Sequence, residues 1–365
     1  MTHEPADLDA ANSSLPPPLP PQTPPPATTP DRRITLASFF RATWPVIGGV
    51  LVGVFLRAVF DGAPGDTFAT MLWVFFLLAP LAIGAVTVYL AERGRARSSL
   101  YHFFMPMLSV TLFVLSTMAL MWEGLICAVL ALPIFAFLAG LGGVLIGLIC
   151  RAAGWSRTPT VYSVVALPIV LAFLGVGQHP PQRIEHVERS VLIQASPATV
   201  WTQLLETDHI RAAEVDRAWM YRIGVPTPLA GLTHETPTGL VREVRMGKGI
   251  HFRQMSADWR PREYVRWQYK FDEDSVPAGA LDDHVRIGGH YFDLLDTRYS
   301  LTPRGNATEL KIRMDYRVST GFNWYAGSLA DWLIGDFSEV ILEFYRRRAE
   351  AAATANGPLP LNSPL

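Results

Sequence analysis

The sequence is poor in charged residues, which make up 17% of the chain, against about a quarter in an average soluble protein. The deficit is local, because charges almost vanish between Ala42 and Gly177 and return at ordinary density from Gln178 to Glu350. The formal net charge is −1, so no global basic field indicates nucleic acid as a partner. The chain therefore has a hydrophobic N-terminal half and a C-terminal half of soluble composition.

Cysteine is also scarce: Cys127 and Cys150 are the only two, and both lie inside apolar runs. With neither a CxxC pair nor a His/Cys cluster in the sequence, we interpret them as small core residues and expect no metal site. No Ser-His-Asp order, HExxH, Walker loop or dinucleotide fingerprint is present. The sequence therefore predicts no cofactor and assigns no catalytic residue.

Proline is concentrated near the N-terminus, with nine prolines among the fifteen residues of Pro16–Pro30. Such a segment cannot bury a core and favours an extended, polyproline-like chain. We expect residues 1–33 and 351–365 to be disordered tails.

Long apolar runs fill the region between residues 34 and 178, and a span of about 20 such residues crosses a bilayer. We expect Arg57 to reach the headgroups from the end of the first span. We interpret Trp122, Glu123 and Gly124 as a hairpin inside the apolar stretch 103–150. The sequence predicts five transmembrane helices, near residues 42–60, 68–91, 103–121, 125–150 and 160–177.

Arginine in the short loops predicts the orientation, because positive residues collect on the cytoplasmic side. The loops on the other side contain Asp61, Asp66 and Glu123 and no Lys or Arg. We therefore expect a multi-pass cell (inner) membrane protein with a cytoplasmic N-terminus and an extracytoplasmic C-terminal domain. If the fifth segment does not cross, that domain is cytoplasmic. The arginines of the cytoplasmic side are Arg32, Arg33, Arg41, Arg93, Arg95, Arg97, Arg151 and Arg157.

Ionisable residues inside the spans would indicate transport, but only Arg57 and Glu123 qualify and both lie near predicted ends. Small residues with i, i+4 spacing, at Gly49 and Gly53 and at Gly143 and Gly147, allow close helix packing. We therefore predict a packed anchor bundle rather than a transporter.

The C-terminal half changes to alternating patterns. In Glu263–Asp272 and Thr308–Ser319, apolar and charged residues alternate as in half-buried strands. Ser196 and Pro197 favour a helix start, and a broad apolar stripe from Asn323 to about Glu350 predicts a long closing helix. Further predicted strands are Val187–Ala195, Gly239–Gly247, Ile250–Asp258 and His290–Thr302.

This order of elements resembles the START-like SRPBCC superfamily, also known as the helix-grip fold. The resemblance covers 187–350 and rests on Glu188–Trp201, the hairpin Tyr299–Tyr316 and the closing helix. It implies an α+β domain, with a curved antiparallel sheet around a long C-terminal helix, that follows the all-α membrane bundle. Members resembling this chain include lipid and sterol carriers, aromatic-polyketide cyclases and proteins of unknown role.

The resemblance also implies a cavity between sheet and helix. The sheet's apolar face is rich in large side chains, as ligand pockets are, although these side chains would equally fill a core. The candidate cavity residues are Trp267, Tyr269, Phe271, Met314, Tyr316, Tyr325, Leu329, Trp332, Leu333 and Phe337.

Three functions remain open. The first is a membrane-anchored module that binds or transfers a lipid or other hydrophobic small molecule, gated by Glu273–Gly289 and Arg217–Gly239. The second is a cyclase- or hydrolase-like enzyme that uses His290, Asp293 or Tyr316. The third is a membrane scaffold without a small ligand. Carboxylates and imidazoles also gather at Asp282, Asp283 and His284, but the composition there indicates a solvated loop rather than a site.

Overall fold

The computed structural model describes residues 36–94, 96–153, 160–281 and 283–355. The predicted tail 1–33 lies outside these ranges, as do residues 356–365 of the predicted C-terminal tail. Residues 351–355 belong to the last helix, which ends at Ala355 rather than near Glu350. From Thr43 on, the helical region and the C-terminal domain belong to one compact unit.

Five helices form the N-terminal half, and each contains one internal proline. Their apolar composition is continuous, so any of their faces can pack against protein or lipid. The helices are α1 (Leu36–Val59), α2 (Trp73–Glu92), α3 (Ser99–Ala119), α4 (Leu125–Ala153) and α5 (Thr160–Phe173).

Three of these helices are long and apolar enough to cross a membrane: Trp73–Glu92, Ser99–Ala119 and Leu125–Ala152. Among the described residues, the other two apolar stretches are shorter, Thr43–Val59 and Tyr162–Phe173. Three of the five predicted spans are therefore supported among the described residues, and the first and fifth are not.

Helix α2 contacts α3, α4 and α5, and glycines make the close approaches. A side chain at Gly84 would collide with the backbone of Ala139, and one at Gly143 or Gly147 with His102. His102 itself is buried and pairs with Glu92 at 2.7 Å, from Nε2 to Oε1. This ionisable pair between α2 and α3 was not among the residues that the sequence placed inside the spans.

The C-terminal domain contains eight antiparallel strands in the order β1-β8-β7-β6-β5-β4-β3-β2. Strands β1 and β8 are in continuous register from Arg183 opposite Val318 to Ile193 opposite Thr308. The strands are β1 (Arg183–Ile193), β2 (Glu206–Thr207), β3 (Pro228–Thr236), β4 (Gly239–Met246), β5 (His251–Arg260), β6 (Tyr264–Lys270), β7 (Phe292–Arg304) and β8 (Ala307–Val318).

Local sequence signals explain where the elements begin. Ser196 caps α6 (Pro197–Leu205) by accepting a hydrogen bond from the Thr199 amide, as predicted. Gly305 has φ +63° in the turn between β7 and β8, a conformation that glycine adopts without strain. Two further short helices follow α6, namely α7 (Ala212–Val215) and α8 (Trp219–Arg222).

Helix α9 (Asn323–Ala355) packs on the sheet and contacts β1 and β8. The core between them contains fully buried Trp267, Tyr316 and Phe344. A long C-terminal helix held by an antiparallel sheet is the helix-grip arrangement, so the predicted fold class of the C-terminal half is confirmed.

Candidate functional site

An inner cavity of about 200 Å³ lies between the sheet and α9. Its apolar wall comes from strands on one side, including Phe252 and Met314, and from α9 on the other, including Phe337 and Phe344. Because the large side chains lie around this space, they do not fill the domain core completely. The inner cavity is the one that a helix-grip domain is expected to enclose.

Polar groups also line the inner cavity. Arg242 is 5% exposed, and its hydrogen-bond partners are neutral: Thr233 Oγ1 at 3.2 Å, Gln254 Oε1 at 3.4 Å and the carbonyl of Leu204. Its guanidinium lies 4.7 Å from the centre of the Trp267 ring. An arginine is always protonated, so a buried positive charge lies beside this apolar space with only neutral partners among these hydrogen bonds.

Three tyrosines that line this cavity, Tyr221, Tyr269 and Tyr299, have pKa values above the ordinary one. Burial raises the pKa of Tyr269 to about 12, and its hydroxyl lies 2.6 Å from Thr297 Oγ1. Burial also raises the pKa of Tyr221 and Tyr299 above the ordinary value. These phenols therefore act as hydrogen-bonding groups and not as bases.

An outer cavity of about 270 Å³ lies between the helical region and the C-terminal domain. Phe75, Phe113 and Phe135 line it from α2, α3 and α4, and Leu329 and Leu333 line it from α9.

Two contacts fix α9 and the segment before it against the helical region around this cavity. Phe322 stacks on Phe76 with ring centres 3.7 Å apart. The Tyr325 hydroxyl donates to the carbonyl of Leu130 at 2.5 Å. The outer cavity is therefore built jointly by the two halves of the chain.

Five side chains line both cavities, and we call them the neck: Met220, Val225, Ile287, Phe292 and Ile334. Met220 and Val225 belong to the connection 217–239, and Ile287 belongs to the loop 273–289. These are the two segments that the sequence nominated as gates. All five neck residues are apolar, so the part of the wall that the two cavities share has no polar side chain.

Charged groups lie at one end of the outer cavity. Arg57 is 6% exposed and donates to Glu123 Oε1 at 2.8 Å and to Asp61 Oδ1 at 2.7 Å. Its guanidinium also lies 5.6 Å from the centre of the Trp122 ring. The expectation that Arg57 reaches the headgroups is wrong, because two carboxylates in the adjoining loops hold it inside the protein.

A thiol and an imidazole lie next to this ion pair. Cys127 Sγ is 3.6 Å from His284 Nδ1, and Glu123 Oε2 is 3.6 Å from the same nitrogen. The other ring nitrogen, His284 Nε2, is 2.9 Å from Thr70 Oγ1. The expectation of a solvated loop is therefore wrong at His284, whose side chain is 15% exposed. Cys127 is likewise not an isolated core residue.

The ten candidate cavity residues fall into two groups. Tyr269, Met314 and Phe337 line the inner cavity, and Tyr325, Leu329 and Leu333 line the outer one. The other four line neither cavity. Trp267 and Tyr316 are core residues, Trp332 is 48% exposed, and Phe271 packs against Phe252 at 5.0 Å between ring centres.

The residues considered for an enzyme do not converge. His290 is exposed, Asp293 accepts a hydrogen bond from the Gly288 amide, and the Tyr316 hydroxyl donates to Glu185. None of the three lines either cavity. Asp282 lies outside the described residues, as does the side chain of Asp283.

Sequence reasoning did not identify Thr70, Cys127 and His284 as neighbours, because 157 positions separate the cysteine from the histidine. One signal was present: Glu123 is the single charge in the apolar stretch 103–150. A charge in an apolar stretch requires a polar partner, and the partners of Glu123 in the structure are Arg57 and His284.

No protein-family model matches the chain, and no curated protein matches it. Solved structures similar to it include a protein of unknown function from Staphylococcus aureus, with 12% identity and a TM-score of 0.31, covering 47% of this chain and 98% of that one. A START superfamily protein from Mycobacterium smegmatis has 15% identity and a TM-score of 0.30, covering 47% and 97%. The Zhui aromatase/cyclase from a Streptomyces species has 13% identity and a TM-score of 0.28, covering 47% and 98%. These similarities extend over about half of the chain.

Proposed function

We propose that this chain is a membrane-anchored binding or transfer protein for a hydrophobic small molecule, which moves between the outer and inner cavities through the neck. The observation that carries the proposal is that five apolar residues line both cavities. Each cavity alone is small, but together they reach the range of about 300–1,000 Å³ that is typical of small-molecule sites.

A membrane location of the helical region would explain the position of the outer cavity. Three helices are long and apolar enough to cross a bilayer, and their side chains form one wall of that cavity. A lipid or other membrane-dissolved molecule would therefore reach the inner cavity without crossing water. Membrane lipids are the expected source of the ligand.

The orientation follows from the loops that contact the C-terminal domain. Residues 60–72 contact it through Thr70 and His284, and residues 120–124 contact it through Glu123 and His284. Neither loop contains Lys or Arg, which favours the extracytoplasmic side. We therefore propose a cell membrane protein with a cytoplasmic N-terminus and an extracytoplasmic helix-grip domain, a topology in which α1 and α5 also cross the bilayer.

The inner cavity indicates the chemical class of the ligand. A buried arginine is costly unless its charge is compensated, and the hydrogen-bond partners of Arg242 are neutral. A carboxylate or similar anionic group on the ligand would supply the missing charge. The preferred ligand is thus an apolar molecule with one anionic head, such as a long-chain fatty acid.

The test uses the full-length protein purified in detergent, with its organic extract analysed by mass spectrometry. We expect one class of apolar molecule at a near-stoichiometric amount. Ile287→Trp would fill the neck and lower the extracted amount several-fold. Ile184→Trp, the same change at a side chain that is 66% exposed, would leave it unchanged. An empty wild-type protein, or equal occupancy in both variants, would contradict the proposal.

A further inference from the structure

We propose that Glu123, Cys127 and His284 form a binding site for one divalent transition-metal ion of the zinc class. Glu123 lies in the turn before α4, Cys127 in the first turn of α4, and His284 in the 3-10 turn Asp283–Val285. One ligand atom from each residue lies within 4.8 Å of the other two. Thiolate, imidazole and carboxylate are the three ligand types that zinc prefers in proteins.

The separations agree with tetrahedral coordination. Zinc bonds of about 2.0 Å to nitrogen or oxygen and about 2.3 Å to sulfur place neighbouring ligand atoms about 3.3–3.6 Å apart at the tetrahedral angle. The Sγ–Nδ1 and Nδ1–Oε2 distances are both 3.6 Å. Small rotations of the Cys127 and Glu123 side chains would therefore complete the arrangement.

The alternative use of these residues is a Cys–His–carboxylate relay, and the geometry disfavours it. A relay needs the thiol at one ring nitrogen and the carboxylate at the other. Here both face Nδ1 of His284, while Nε2 is occupied by Thr70 Oγ1 at 2.9 Å. A thiol and a carboxylate that both face one ring nitrogen are typical of a metal ligand set.

The surroundings resemble a second coordination shell. A metal-binding histidine usually donates its other ring N–H to a fixed acceptor, and the Thr70 hydroxyl can accept it. Arg57 donates a hydrogen bond to Oε1 of Glu123, and the other carboxylate oxygen, Oε2, faces His284. Charge also balances, because one thiolate and one carboxylate neutralise a divalent ion, while Asp61 pairs with Arg57.

The position of the site links it to the outer cavity, since Glu123, Cys127 and His284 all line that cavity. Three protein ligands are the number found in catalytic zinc sites, which keep a fourth position for water or substrate. Here the fourth coordination position would open onto the outer cavity. An oxygen atom of a cavity ligand is the group that such a position would accept.

The experiment measures metal content in the full-length protein, purified in detergent with a tag that contains no histidine. Zinc is added, loosely bound metal is removed by dialysis, and the protein is analysed by inductively coupled plasma mass spectrometry. We expect about one zinc per chain in the wild type, as a single site requires, and at least a tenfold loss in Cys127→Ser and in His284→Asn. Cys150→Ser and His290→Asn are the matched controls and should retain the wild-type content.

Cobalt provides a readout in the wild type that does not depend on the stability of any variant. Co²⁺ added to the wild type should give the intense near-ultraviolet absorption of a thiolate-bound ion, and Cys127→Ser should lose it while Cys150→Ser keeps it. Thr70→Val should bind Zn²⁺ about tenfold more weakly, as loss of an outer-shell partner does. A wild type that retains no zinc and gives no thiolate–cobalt band would overturn the proposal. So would equal metal content in Cys127→Ser and Cys150→Ser, and neither result depends on whether an apolar ligand is present.

Discussion

Each cavity has a buried arginine in its wall, but the two positive charges differ in whether the protein compensates them. At the outer cavity, Arg57 pairs with Glu123 and Asp61, so its charge is compensated by the protein. At the inner cavity, Arg242 has hydrogen bonds to neutral groups and lies over the Trp267 ring. The helical region thus neutralises its buried charge, whereas the hydrogen-bond partners of Arg242 in the helix-grip domain are neutral.

This difference indicates separate roles. A compensated charge at the junction positions Glu123 and, through it, the cluster with Cys127 and His284. A buried charge whose hydrogen-bond partners are neutral would increase the affinity of the inner cavity for an anion, because charges attract more strongly in a low-dielectric interior than in water. Under the proposed function, the outer arginine is accordingly a structural and positioning residue, and the inner one would bind the anionic head of the ligand.

The largest effect is expected from Arg57→Met. Removal of one partner of a buried ion pair leaves an uncompensated carboxylate and costs about 3–5 kcal/mol. Thermal unfolding in detergent, followed by circular dichroism, measures the loss. Asp61 is 67% exposed on its side chain and does not need a cation.

The double variant Arg57→Met/Glu123→Gln is the control for this prediction. It removes both charges and should be more stable than Arg57→Met alone. If Arg57→Met were as stable as the wild type, Arg57 and Glu123 would not compensate each other's charge as described.

A smaller and more selective effect is expected from Arg242→Met. Hydrogen bonds to a charged group contribute about 1.5–3 kcal/mol, so the affinity for a fluorescent long-chain fatty acid should fall about tenfold or more. The affinity for the matching fatty alcohol should change little, because the apolar wall remains. Fluorescence titration of the detergent-purified protein gives both affinities. Equal losses of affinity for the acid and the alcohol would show that Arg242 does not bind the anionic head of the ligand.

The smallest effect concerns Arg348, an arginine at the domain surface that pairs with Glu214 at 3.1 Å. The Arg348 hydrogen bonds lower the pKa of Glu214 from 4.5 to about 2. The pair therefore stabilises the domain fully above pH 4.5, and this contribution is lost as the pH falls toward 2.

Glu214→Gln should cost about 1 kcal/mol near neutral pH, since partial exposure weakens an ion pair, and should cost less at pH 3. The pH dependence of thermal unfolding measures both values. Glu339→Gln, in the exposed pair with Arg189, should change stability less. A cost for Glu214→Gln that does not decline in acid would contradict the account of this third arginine.

The fold of the domain was predictable where one face of a helix or strand is buried and the other is exposed to solvent. Strand β8 alternates from Leu310 to Val318, and Ser196 caps α6 as its sequence indicates. Strand β3 was missed because Pro228 and Gly231 interrupt its alternation. In the helical region, continuous apolar composition gives no periodicity that assigns a face, and so the residues that line the outer cavity were not predictable.

The candidate site was predictable only in part, for a related reason. Tyr269, Met314 and Phe337 lie on elements whose inward faces follow from their patterns, and they line the inner cavity. The cluster at the outer cavity joins the first turn of α4 to a turn 157 positions further along the chain. Such a contact depends on how two separately patterned halves dock, and no local pattern encodes that.

The central claim is that the two cavities form one path for one ligand. Benzoylphenylalanine would replace Phe135 at the outer cavity and Phe337 at the inner cavity, with Phe271, which lines neither, as the control. After illumination in membranes, intact-protein mass spectrometry would show whether a small molecule is attached. The account predicts the same added mass at Phe135 and Phe337 and none at Phe271. An adduct at Phe135 with none at Phe337 would contradict it, because the ligand would then stop at the membrane side of the neck.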